Sequence, residues 1–435
     1  MKRKMQESGI EWCGLIPEHW KVMPNKYVMY KKKELCPKYT GQNILSLTMD
    51  GVIVRDLDAG GKMPATFDGY QIVSPNNLLM CLFDYDVTPR CIGLIKNEGL
   101  TSPAYSQFVM KDNNKSKYYY YYYLMIDNTK ALLHLAKNLR HSFTEEQLGA
   151  INAPVPPIEE QQKISEFLDE ICGEIGDIIV KTKESIEEYK KYKNAIITEI
   201  VTQGLNKGIA YKHTDIDYVE KIPAHWDVLK LRFLGSCQNG ISKGSEAFGS
   251  GYPFVSYGDV YRNYELPEVV VGLIESTESD RENYSVQYGD VFFTRTSETI
   301  EEVGFSSTCL KTIENAVFAG FVIRFRPFNN EKLSPRFSKY YFRSDMHRRF
   351  FVKEMNLVTR ASLSQELLKK LPVLLPPLEE QEEIADYLDK KCGEIDTLIA
   401  KKEAFVEEME AYKKSLIYEY VTGKKEVKWW KKNRQ

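Results

Sequence analysis

The chain has 435 residues, 43% of them hydrophobic and 12% aromatic, with a formal net charge of −2. That is enough apolar material for two or three cored domains and excludes wholesale disorder. No apolar run approaches the ~18 residues of a membrane span. The basic N-terminal MKRKMQESGIEW lacks the apolar stretch and small-residue cleavage site of a secretory signal. The eight cysteines form no CxxC pair and the six histidines are scattered, which excludes the usual zinc spacings. Unclustered cysteines in a chain of this size point to a reduced, cytoplasmic protein.

In chain order, IPEHWKV (16–22) leads into a region with strand-like runs QNILSLTMD, NNLLMCLFD, RCIGLIK (90–96) and AYSQFVM. The tyrosine-rich SKYYYYYYLMIDNTKALLHLAK (116–137) reads as a helix, followed by NLRHSFTEEQLGAINAPVPP (138–157). A long helical segment then runs to Thr202–Gln203–Gly204. IPAHWDV (222–228) opens a second region with strand-like YPFVSYGDV, GDVFFTRTS and AVFAGFVIRFRP (316–327), and a helix over 334–355. VTRASLSQELLKKLPVLLPP (358–377), a second long helix stopping at Thr422–Gly423 and a basic tail complete the chain. This predicts an α+β protein with domains 1–157 and 204–377, helices 158–203 and 378–423, and a tail 424–435.

The order is a duplication. PPIEEQQKI (156–164) returns as PPLEEQEEI (376–384), and the helices that follow match without a gap. The IPxHW segments match as well, yet residues 25–110 and 231–330 hardly resemble each other. The frame is repeated and the contents differ. Proline pairs mark sharp helix entries, and Glu159–Glu160 and Glu379–Glu380 place carboxylates where the helix dipole favours them. Apolar steps of three and four predict a coiled-coil seam, with Ile164, Leu168, Ile171, Ile175 and Ile178 in one helix. Its partner seam holds Ile384, Leu388, Ile395, Leu398 and Phe405. Both helices carry CGEI, and a glycine inside a helix suggests close helix approach there.

Charge is uneven. Residues 158–203 carry 6 Lys+Arg against 11 Asp+Glu, and residues 378–422 carry 6 against 13. Residues 1–157 carry 19 against 15, so the larger segments are mildly basic and suit an anion. No P-loop, GxGxxG, HExxH or GxSxG is present, and no methyltransferase motif with an Asn/Asp-Pro-Pro-aromatic core. Tyr118–Tyr123 has an aromatic counterpart in Tyr340–Tyr341–Phe342, which assigns it to packing rather than base stacking. Trp20 and Trp226 read as packing anchors. The candidate DNA contacts are Arg295, Thr296 and Ser297 after a strand, and Arg90 at what reads as the comparable turn. Arg140 and Arg360, just before the TEEQ and SQEL helix starts, complete the set.

An IPxHW-led variable region, PPxEEQ plus a long helix, then the same again, closely resembles the specificity (S) subunit of type I restriction–modification enzymes over essentially the whole chain. The resemblance implies two target recognition domains separated by two long helices in an antiparallel coiled coil, with an internal pseudo-twofold repeat. Each domain would read one half of a bipartite, asymmetric double-stranded DNA target, while the helices set the spacer. Two methyltransferase (M) subunits using S-adenosylmethionine would dock on the frame, and restriction (R) subunits would add ATP- and Mg-dependent translocation and cleavage. The subunit itself would hold no cofactor or metal and catalyse nothing. A stand-alone DNA-binding regulator or decoy, a coiled-coil scaffold without a DNA role, and the recognition part of a type II-like split enzyme remain as alternatives.

Overall fold

Residues 3–59, 64–136, 141–297, 303–354 and 361–428 are described by the structure, a computed structural model. The chain divides into two compact units, Met1–Lys183 with Ala404–Gln435, and Glu184–Glu403. Each unit therefore takes one half of each long helix.

In the first unit, strand β1 (Lys21–Pro24) of the IPEHWKV segment is followed by β2 (Met29–Lys32), β3 (Leu78–Cys81), β4 (Ile92–Leu94) and β5 (Tyr105–Met110). Helix α1 (Ser116–Thr129) and strand β6 (Asn152–Val155) then lead to helix α2 (Ile158–Gln203). Strands β2 to β5 form an antiparallel sheet in the order β2-β5-β3-β4, and β1 pairs with β6 through Met23↔Ala153. Strand β3 is buried on both faces. Leu78 and Met80 enter a core with the tyrosines of α1, and Leu79 enters a second with Leu45, Val52, Val73 and Ile95.

The second unit repeats this plan with different residues. Its strands are β7 (Asp227–Lys230), β8 (Gly235–Asn239), β9 (Val291–Thr294), β10 (Ser306–Thr308), β11 (Val322–Pro327) and β12 (Pro372–Leu375). Strands β8 to β11 form an antiparallel sheet in the order β8-β11-β9-β10, and β7 pairs with β12. The strand order matches that of the first unit. Val291 and Phe293 enter one core and Phe292 a second, as Leu78, Met80 and Leu79 do.

Several local expectations change here: the tyrosine-rich helix expected over 116–137 ends at Thr129, where Lys130 takes a left-handed φ of +50°, and AVFAGFVIRFRP is two strands, Val317–Phe318 and Val322–Pro327. YPFVSYGDV is not one strand, because Ser256 caps a helical turn, Tyr257–Arg262, in a reciprocal pair with Asp259. The helix expected over 334–355 is two, α3 (Pro335–Tyr341) and α4 (Asp345–Glu354).

Helix α5 (Leu378–Val421) is the second long helix. Within the first unit the rings of Phe167 and Tyr420 lie 4.5 Å apart and Lys183 pairs with Glu410 at 3.2 Å, so these helix segments run antiparallel. Within the second, Lys193 pairs with Asp396 at 2.6 Å and Lys402 lies over Tyr189, with the same sense. Ile164, Leu168, Ile175, Ile384, Leu388 and Ile395 are buried in the seam and Ile171 packs on its edge. Ile178, Leu398 and Phe405 are not in it, being 42%, 43% and 40% exposed. The seam instead recurs every eleven residues: Ile164, Ile175, Ile186, Ile197 and Ile384, Ile395, Val406, Ile417 are all buried. Eleven residues in three turns match an α-helix better than a heptad does, so the stripe advances past Leu398 to Ile399 and past Phe405 to Val406. The CGEI glycines do not mark close approach either, since a Cβ on Gly173 or Gly393 would meet nothing within 4 Å.

Candidate nucleic-acid interface and the frame that carries it

The repeated phrases meet at one node in each unit. Trp20 donates its Nε1 proton to Glu160 at 3.1 Å, His19 Nε2 lies 2.5 Å from the same carboxylate, and Arg3 pairs with it. In the second unit Trp226 donates to Glu380 at 3.0 Å and His225 Nε2 lies at 2.7 Å. The glutamine of PPxEEQ is fully buried in both copies. Gln161 donates to the Pro156 carbonyl and accepts from the amide of Lys115; Gln381 does the same with Pro376 and Ser334. Gly204 and Gly423, at φ of +73° and +68°, end the long helices against Trp226 and Trp20, where a Cβ would lie 3.3 and 2.8 Å from the indoles. PPxEEQ is thus a latch that holds the IPxHW ribbon and the aromatic helix at a fixed angle to the long helix.

The tyrosine run belongs to this frame. Tyr118, Tyr119, Tyr121, Tyr122 and Tyr123 are buried. Tyr118 donates to the Val421 carbonyl at 2.8 Å and Tyr121 to Asp169 at 2.9 Å. Tyr340 repeats the second contact, donating to Asp389 at 2.7 Å. Burial pushes the buried phenols of this run upward from their ordinary range, so they remain neutral donors. Burial works against the charge of Glu160, but the donors His19, Trp20 and Arg3 outweigh it and hold that carboxyl below the usual range.

Against this frame the candidate DNA contacts are sharply unlike. Arg295 leaves β9 with its amide donating to Phe321 O at 2.9 Å and its carbonyl accepting from Leu363 N at 2.7 Å. Thr296 and Ser297 pair with Ser362 and Ala361. The same backbone bond occurs in the first unit from Phe143 N to Leu82 O, also at 2.7 Å. The loop beyond is closed by Thr294 N to Phe305 O at 2.8 Å in one unit and Cys81 N to Cys91 O at 2.9 Å in the other. Leu82, not Arg90, therefore stands where Arg295 does, and the expected equivalence of Arg90 and Arg295 is corrected. Arg90 lies at the far end of the loop, where it pairs with buried Asp127 at 3.4 Å and Asn128 at 3.2 Å. One guanidinium nitrogen, Nη1, makes both contacts. Arg140 and Arg360 lie outside the described residues.

An aromatic–arginine stack was not legible in the sequence. Phe305 is covered by Arg343 at 4.5 Å and Arg348 at 4.9 Å, and Tyr261 stands 5.2 Å from its ring with Tyr257 stacked beyond. Arg343 is fixed by the carbonyls of Val260, Tyr261 and Ser306. Burial pulls the pKa of Arg343 down from its ordinary value, and that of Arg348 to about 10. The stack anchors the foot of the Arg295 loop and brings cationic and aromatic groups together.

Among the described residues, no helix is long and apolar enough to cross a membrane. A family model described as the type I restriction modification DNA specificity domain matches residues 92–208 and 223–408. The type I restriction enzyme EcoKI specificity subunit of Escherichia coli (strain K12) is 27% identical over 256 residues, covering 57% of this chain and 52% of that protein. The MjaVIII specificity subunit of Methanocaldococcus jannaschii is 28% identical over 283 residues, 64% of this chain and 63% of that one. These matches span between about half and under two thirds of the relatives' length. Among solved structures, a chain from work on complex assembly and conformational transition of the type I R-M system superposes with a TM-score of 0.69 at 14% identity, over 93% of this chain and 98% of that one. The HsdS subunit of Thermoanaerobacter tengcongensis gives a TM-score of 0.50 at 14% identity, over 94% and 98%. The fold is shared with both, and with the family model covering more than half its length the chain belongs to the type I restriction–modification specificity subunit family.

Proposed function

We propose that this chain is the non-catalytic DNA sequence-specificity subunit of a type I restriction–modification complex, acting in the cytoplasm. Domains 1–157 and 204–377 each read one half of a bipartite, asymmetric double-stranded DNA target. Helices 158–203 and 378–423 set the unread spacer and dock two methyltransferase (M) subunits, which bring S-adenosylmethionine. Restriction (R) subunits bring ATP and Mg. The observation that carries this reading is one frame built twice with unlike side chains at the same backbone points, Leu82 against Arg295 and Cys91 against Phe305. A duplicated frame in one chain does what a twofold dimer does for paired half-sites, and unlike contents make the halves differ.

Arg295 and Thr296 are the base-reading candidates of the second domain, with Ser297 beside them. Arg140 and Arg360 complete the basic set, and Arg90 serves the loop indirectly by fixing its end. Support for docking on the helices comes from apolar side chains that their seam leaves exposed. Ile178 and Leu398 are one position in the two copies, as are Tyr192 and Tyr412, and all four are exposed. The same position exposed twice suits two copies of one partner. The acidic charge of both helices disfavours phosphate and suits protein. Methylome sequencing of cells expressing this chain with M tests the reading. One bipartite motif with unlike halves is the expected result; no new methylated motif, or one contiguous motif, would overturn it.

A further inference from the structure

We propose that Cys81 and Cys91 form a reversible disulfide that locks the loop 82–90 of the first unit. The two residues lie directly opposite each other on antiparallel chain segments. The register Leu78↔Leu94, Leu79↔Gly93, Met80↔Ile92 continues to them, and Cys81 N donates to Cys91 O at 2.9 Å. Facing residues in such a pair have Cα atoms ~4.5–5.5 Å apart with side chains on one face, within the ~4.4–6.8 Å span of disulfides. Both thiols turn toward Thr88, Cys81 Sγ lying 3.9 Å from its hydroxyl and Cys91 Sγ 3.7 Å from its carbonyl oxygen, which puts the two sulfurs on one side of the pair.

Both cysteines are buried, at 1% and 4% exposure, but among groups that bear on thiol chemistry. The neighbouring Cys91 thiol outweighs burial and holds the Cys81 thiol below the ordinary range, while Cys91 itself is pushed up and stays protonated; a thiolate is the form that attacks an oxidant. Lys130 places its ammonium 3.4 Å from Cys91 Sγ, while its other bonds go to Asp127 and the Thr88 carbonyl. A cavity of about 30 Å³ borders Cys81, Cys91 and Tyr85, beneath a loop whose Asp86, Val87 and Pro89 are exposed. With a peroxide as oxidant, the Cys81 thiolate attacks one oxygen, giving a sulfenic acid and, after protonation, water. The Cys91 thiol then attacks that sulfur and displaces a second water. Two thiols and one peroxide become one disulfide and two waters.

The second unit has no such pair, because Thr294 and Phe305 occupy the corresponding positions. Oxidation would thus act on one recognition domain alone; that consequence rests on the function proposed above, whereas the chemistry does not. Trypsin cuts after Arg90, so the two cysteines fall on separate peptides, one ending at Arg90 and the other CIGLIK, residues 91–96. Full-length chain is treated with hydrogen peroxide, alkylated and digested. The expected product is these two peptides joined, lighter than their sum by two hydrogens and separated by dithiothreitol. Amide exchange over 83–90 should slow on oxidation, and Cys91→Ser and Cys81→Ala should each abolish both effects. Recovery of the peptides unlinked, with thiols alkylated or over-oxidised, would overturn the proposal; so would a link that leaves exchange over the loop unchanged.

Discussion

The amide of Leu363 donates to the carbonyl of Arg295 at 2.7 Å, so the point at which Arg295 leaves its sheet is set by the segment entering the second PPxEEQ latch. A side chain fixed at that point suits base reading, because register is held by the backbone and not by the side chain. Arg295→Ala is expected to weaken recognition of one half-site by ~1–3 kcal/mol and relax base preference there. Binding to duplexes varied in one half at a time, with M present, measures this. Equal loss on every duplex would place Arg295 on phosphate instead. Leu82→Ala, at the matching point, should affect only the other half.

The latch carries a pH prediction. Hydrogen bonds from His19, Trp20 and Arg3 depress the folded pKa of Glu160. A depressed carboxylate contributes stability that is complete above its unfolded value, ~4.3, and lost as pH falls through the folded value. Glu160→Gln should therefore cost ~1.5–3 kcal/mol at neutral pH, the range for hydrogen bonds to a charged group. The difference from wild type should shrink as the pH drops below about 4. Urea unfolding of both chains across that range checks it.

How far the sequence reveals this molecule depends on what was duplicated. The PPxEEQ and IPxHW phrases disclosed the twofold frame, because like residues in both copies served as a control on each other. They did not disclose that Glu160 and Glu380 grip the tryptophans, since contacts between residues 140 and 154 positions apart leave no local pattern. The matched sheets were hidden as well. β8 reads GSCQN and β10 reads SST, with too few β-branched or aromatic residues to stand out. The equivalence of Leu82 with Arg295 came only from shared backbone bonds, because no sequence match survives there.

The seam separates two neighbouring residues by mechanism. Ile395 is buried and Leu398, one turn on, is exposed. Ile395→Ala should cost ~2–5 kcal/mol by leaving a cavity. Leu398→Ala should stay within ~0.5 kcal/mol of wild type. If Leu398 is part of a docking surface, its loss should instead lower co-purification of M at unchanged thermal stability. Loss of stability without loss of M would return Leu398 to the seam.

Two grafts of different length separate the reading loops of the first domain from its frame. Asn25 accepts from Tyr123 at 2.5 Å and donates to Leu148 O at 3.0 Å, and the α1 tyrosines bond Val421 and Asp169. A graft spanning 25–137 would replace those frame residues together with the reading loops. Exchange of residues 29–113 keeps Asn25, α1 and the latch, whose Gln161 also donates to Asn114 at 2.8 Å, while replacing the whole four-stranded sheet. The shorter graft should alter one half of the methylated motif, leave the other half and the spacer unchanged, and unfold within a few degrees of the parent. The longer graft should alter the same half but lose stability wherever the incoming Asn25 and tyrosine positions differ. Methylome sequencing and thermal unfolding of the two grafts decide it. A change in both halves with the shorter graft would mean that the frame itself takes part in reading.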